Sequence, residues 1–143
     1  MGTTFARLLA LILILSPIAG AAQETDVTGK VAVELNTVSD GEGACTLTFM
    51  VTNGHPVDID KLVYETVLFD AAGSVDRLTL FDFGALPVGR PRVRQFAVPE
   101  LTCDGLGRVL FNGLHTCAAE GLAQSDCADG LLPSSRVEIE VLG

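Results

Sequence analysis

The chain is short of positive charge, of histidine and of methionine. Nine lysines and arginines stand against eighteen aspartates and glutamates, for a net charge of −9. A field of that sign repels phosphate backbones and finds nothing to bind on anionic lipid. Nucleic acid and acidic membrane surfaces are therefore not expected partners. There are two histidines, His55 and His115, so hydrolysis through a serine or cysteine nucleophile has only two imidazoles to draw on as a base. Copper ligation through methionine lacks material as well, because Met50 is the only methionine beyond the N-terminal segment. Past that segment no apolar stretch is long enough to cross a bilayer, so no membrane insertion is expected from the rest of the chain. The apolar share of 48% and charged share of 19% are those of a globular protein rather than a disordered one.

What is present begins at the N-terminus. Arg7 follows a short polar start, Leu8 to Leu15 is almost unbroken apolar sequence, and Pro17 ends the run. Ala19, Gly20 and Ala21 then supply small residues ahead of the polar stretch that opens with Gln23 and Glu24. This is the order of charged, apolar and cleavage regions in a secretory signal peptide, and the apolar run is shorter than the roughly 20 residues a spanning helix needs. Residues 1–21 are expected to be removed, with Ala22 as an alternative last residue of the signal. There is no twin-arginine pair and no cysteine near the cleavage region to acylate, and Ala6 stands where myristoylation favours Ser or Thr. The expected mature domain is residues 22–143, in the periplasm or secreted. Cleavage takes one basic residue and no acidic one, moving the net charge to −10.

The mature part alternates with period two and shows almost no helical periodicity. Val31, Val33 and Leu35 share a face; Cys45, Leu47, Phe49 and Val51 share another, opposite Thr46, Thr48 and Thr52. Ile59 to Phe69 is apolar on both faces, as a central strand is. Further strands are expected over Val75 to Phe83, Arg90 to Val98 and Val109 to Leu114, with a last one through Val137, Ile139 and Val141. Ser39 to Gly43, Asn53-Gly54, Asp70 to Gly73 and Gly84 to Gly89 are the turn clusters between them. Residues 116 to 135 read as a long irregular loop held by cysteines, with one helical turn over Ala118 to Gln124. About seven short strands with regular turns indicate an all-β fold, an immunoglobulin- or fibronectin-like antiparallel β-sandwich.

Four cysteines, Cys45, Cys103, Cys117 and Cys127, lie in the mature domain, and an even number in a small exported domain reads as two disulfides. With immunoglobulin-like connectivity, Cys45 and Cys103 fall at one end of the sandwich and Cys117 and Cys127 at the other. The pairing Cys45–Cys103 with Cys117–Cys127 follows, since the alternatives span the length of a strand.

Candidate sites are few. Arg90, Arg92 and Arg94 recur at period two in an otherwise acidic chain, which projects three cations from one strand face. They suit a small anion or an acidic envelope protein, or else cross-strand pairing with acidic neighbours at an edge. His55 and His115 fall at the same end of the expected sandwich, the place for a metal or hydrolytic site. A zinc site there would also draw on Cys117 and Cys127 as thiolates, which oxidation removes. Asp58 with Asp60, and Asp126 with Asp129, flank turns but do not follow the twelve-position calcium loop. Asp82-Phe83-Gly84 matches a kinase metal-binding triplet without the surrounding kinase elements. No cofactor motif is present.

Val51-Thr52-Asn53, the run Leu68 to Val75, and Leu86-Pro87-Val88-Gly89 followed by Phe96 resemble the small FxLYD-type sandwich domains of bacterial exported proteins. The similarity runs from Leu47 to Val98 and leaves the three later cysteines outside. The whole chain is also similar to uncharacterised small exported proteins of alphaproteobacteria. Both resemblances imply the sandwich and the compartment and supply no catalytic residue. The expectation is a non-catalytic exported binding or structural module of the cell envelope. The alternative is a metal-binding or hydrolytic protein working at the His55 and His115 end.

Overall fold

In the computed structural model, residues 1–2 and 24–143 are described; the signal-peptide reading falls on residues outside them. Eight strands form two packed four-stranded sheets. In chain order they are β1 (Val31–Gly41), β2 (Ala44–Asn53), β3 (Ile59–Asp70), β4 (Val75–Leu86), β5 (Arg92–Pro99), β6 (Leu106–Ala118), β7 (Leu131–Ser135) and β8 (Glu140–Leu142). A one-turn 3-10 helix, Cys103–Gly105, precedes β6, and a short helix α1, Gln124–Asp129, precedes β7. The strand orders are β5-β2-β1-β7 and β4-β3-β6-β8, an all-β, immunoglobulin- or fibronectin-like sandwich.

The alternating sequence sets the inward faces. Val31, Val33 and Leu35 of β1 and Cys45, Leu47, Phe49 and Val51 of β2 are buried, facing Leu62, Tyr64 and Leu68 of β3 and Phe81 and Phe83 of β4. Phe49 sits among Phe81, Phe83, Phe96 and Phe111 with ring centroids 5.8–6.0 Å away, in tilted and edge-on contacts that suit the ring quadrupoles. The β1–β2 hairpin turns through Glu42 and Gly43, both at positive φ (52° and 75°), as a two-residue turn matched to strand twist requires.

The C-terminal quarter departs from expectation. Residues 116 to 135 are not one irregular loop: β6 runs on to Ala118, α1 begins only at Gln124, and β7 follows directly. The last strand expected through Val137, Ile139 and Val141 forms only at its end, as β8, and an additional strand, β7, arises inside the expected loop. β7 runs parallel to β1, from Val31 opposite Leu131 to Leu35 opposite Ser135. The chain then bends over residues 136–139 and reverses into the other sheet, where β8 pairs parallel to β6. The sheets are therefore mixed rather than purely antiparallel. The cause is the chain's exit from α1 beside the start of β1, where the Val31 amide donates to the Gly130 carbonyl at 2.8 Å. From that point the segment can only run alongside β1 in the same direction. Pro133 is tolerated there because β7 is an edge strand.

Both expected bridges are present. Cys45–Cys103 (Cα–Cα 4.9 Å) ties β2 to the 3-10 turn, and Cys117–Cys127 (6.4 Å) ties the end of β6 to α1. They close opposite ends of the sandwich.

Candidate functional site

The arginine row does not form as a row. Arg90 lies in the turn before β5 and is exposed, with its amide donating to Pro87 at 3.3 Å. Arg92 and Arg94 share a side of β5 with Phe96 and Val98, half-buried at the open flank where edge strands β5 and β4 approach one another. The Arg94 guanidinium donates to the Phe83 carbonyl (2.6 Å), the Ala85 carbonyl (3.0 Å) and the Val93 carbonyl (3.0 Å). Its partners are thus main-chain oxygens, two on β4 and one on β5 itself, and not the acidic neighbours that cross-strand pairing implied. Arg77 of β4 reaches the other way, to the Pro99 carbonyl of β5 at 2.7 Å. Two reciprocal arginines close the flank, together with Phe81 stacked on Phe96 at 4.2 Å. Among the described residues Arg90, Arg92 and Arg94 take part in no salt bridge.

The two histidines do not share a cavity. His55 is buried at the β2–β3 turn, its amide donating to the Asn53 carboxamide oxygen at 2.9 Å. The Asn53 side-chain NH₂ in turn donates to the Val57 and Leu86 carbonyls, which pins the turn. The His55 Nε2 has no hydrogen-bond partner and lies against Gly130, where a Cβ would come within 3.4 Å of it. His55 borders an open cavity of about 420 Å³ with Lys30, Leu122, Asp126 and Asp129. His115 is exposed on β6, its Nδ1 2.9 Å from the Thr116 hydroxyl, and does not line that cavity. Among the described residues the one cluster of three potential metal ligands is Asp40, Cys45 and Cys103, and its two sulfurs are bonded to each other. Asp58 is occupied as an acceptor for the Val88 amide (2.8 Å), and Asp82 for the Gly84 amide (2.9 Å). Met50 is exposed on the outer face of β2 rather than packed.

A different surface stands out, which the sequence reading missed. On the outer face of the β4-β3-β6-β8 sheet, Leu78 pairs with Val67, Val67 with Leu110, and Leu110 with Leu142. One aliphatic row therefore crosses all four strands. Leu78 is 65% exposed and Leu142 37%. Leu80, 49% exposed, extends the band on β4 opposite Glu65. The signal was in the sequence as apolar residues at both parities of β3 and β4. It reads identically in a strand covered on both sides, which is what the run Ile59 to Phe69 predicts as a central strand.

No protein-family model matches the chain, and no curated protein or solved structure matches it.

Proposed function

We propose that this chain is an exported, non-catalytic binding module of the cell envelope, acting in the periplasm or after secretion, and that it works through the outer face of the β4-β3-β6-β8 sheet. The observation that carries the reading is the aliphatic row Leu78–Val67–Leu110–Leu142, laid in register across the sheet with its two ends open to solvent. Val67 at the centre of the row is buried, while Leu78, Leu80 and Leu142 around it are exposed, and exposed apolar side chains gathered on one face mark interaction sites. Export is supported by the residue order of the first 21 positions, by the FxLYD-type resemblance, and by two disulfides that need an oxidising compartment to persist.

Arg90 and Arg92 retain a lesser role as the place where an acidic envelope protein or small anion would meet the chain. Both lack an ion-pair partner among the described residues, whereas Arg94 is committed to the β4 carbonyls.

Site-specific photo-crosslinking in cells exporting the full chain tests the binding surface. A crosslinker replacing Leu78 is expected to yield a discrete adduct, and one replacing Gln95, exposed on β5, none. No adduct at Leu78, or the same adduct at both positions, contradicts the reading.

A further inference from the structure

We propose that the partner of this face is a protein segment whose aliphatic side chains are flanked by lysine or arginine, with one cation seated opposite Glu65. The inference rests on the binding reading above and adds the chemistry of the occupant.

The argument is one of charge. Each cation on strands β3, β4 and β6 already has a carboxylate: Lys61 holds Asp82 at 3.5 Å, Arg77 holds Asp76 at 2.6 Å, and Arg108 holds Glu140 at 2.7 Å. Glu65 has no such partner among the described residues. It sits half-buried inside the band, between Leu80 on β4 and Gly113 on β6. Within the band the unmatched charge is therefore negative and flanked by aliphatic groups. A cation brought there by an apolar partner is partly desolvated, which strengthens the pair relative to one in water.

The same feature disfavours the other occupants. A second copy docked by two-fold symmetry sets the patch against itself, so both Glu65 carboxylates enter one interface between chains of net charge −9. An anionic bilayer or a phosphate backbone meets like charge. Four of the eight large apolar side chains most exposed among the described residues, Val75, Leu78, Leu80 and Leu142, belong to this one sheet. That concentration gives the partner a hydrophobic anchor as well as a charge to answer.

The purified, oxidised chain is titrated with two synthetic amphipathic peptides, one alternating leucine with lysine and one alternating leucine with glutamate. In parallel the chain is sedimented alone and mixed with vesicles of zwitterionic phospholipid. The leucine–lysine peptide is expected to bind, with the leucine–glutamate peptide at least about tenfold weaker. Glu65→Gln is expected to weaken the leucine–lysine complex about tenfold. The double variant Leu78→Ser, Leu80→Ser is expected to abolish it while leaving the thermal unfolding midpoint unchanged, since both leucines are solvent-exposed. If both peptides bind equally, or Glu65→Gln changes nothing while the leucine variant still abolishes binding, the cationic partner is wrong and the binding face survives. If the leucine variant leaves binding intact, the face itself is wrong. Dimerisation or vesicle binding that the leucine variant removes assigns the face to a second copy or to lipid and overturns the proposal.

Discussion

Tyr64 is the chain's only tyrosine, and it joins core to periphery. Its ring packs beside Phe83 and Phe111, and its hydroxyl donates to the Cys127 carbonyl of α1 at 3.0 Å. Burial pushes the phenol up from its ordinary value to about 12, because an ionised phenolate cannot be solvated there. In the unfolded chain the phenol ionises first, near its ordinary value, so the folded state is favoured in full at lower pH. That contribution is lost as pH rises from about 10 through about 12. An alkaline titration followed by phenolate absorbance reads this single group directly. One transition near 12 is expected, and a midpoint near 10 would place the ring in solvent. Tyr64→Phe leaves the Cys127 carbonyl without its donor and is expected to cost about 1 kcal/mol in denaturant unfolding. At this scale the sequence showed residue types without their partners. Arg94 looked like a binding cation because its acceptors, the Phe83 and Ala85 carbonyls, belong to a neighbouring strand and carry no side-chain signature.

Among the elements, β1 to β6 were legible because each is a β-favouring run, alternating with period two in β1 and β2 and apolar on both faces in β3, that ends at a turn with a chemical marker. The β1–β2 hairpin is an example: Gly43 supplies one positive φ at no steric cost, while Glu42 holds the other at 52°. A non-glycine side chain in that region costs roughly 1 kcal/mol, and Asn tolerates it better. Glu42→Asn is therefore expected to raise stability by about 0.5 kcal/mol in denaturant unfolding. Unchanged or lowered stability would show that the turn does not impose this conformation. β7, β8 and α1 were not legible for a different reason. β7 has five residues, β8 three and α1 six, too few for a periodic signal. α1 also lacks a side-chain N-cap bond, the mark that would have located its start. These elements exist because β1, β6 and the Cys117–Cys127 bridge hold them, and pairing of that range leaves no trace in local sequence.

The whole molecule is a small core stapled at both ends. The Cys45–Cys103 bridge closes a separation of 58 residues and the Cys117–Cys127 bridge one of 10. Loop-closure entropy assigns about 4 kcal/mol to the first and about 3 kcal/mol to the second. Replacing both cysteines of the long bridge by alanine is therefore expected to lower stability more than the same change in the short one. Equal losses would mean that native contacts rather than chain constraint set the effect. The sandwich and the pairing followed from strand count and topology. The exposed band did not, because sequence shows that a face is apolar but not what covers it.

The central claim is an exported chain that is oxidised in the pairing observed. The measurement that tests it most directly is a non-reducing tryptic mass map of the protein recovered from the envelope fraction of a Gram-negative cell expressing the full chain. The account predicts an N-terminus at residue 22 or 23, the peptide 31–61 joined to 95–108 through Cys45 and Cys103, and the peptide 109–136 bridged internally between Cys117 and Cys127. A full-length chain with free thiols, or bridges joining either early cysteine to either late one, would contradict it.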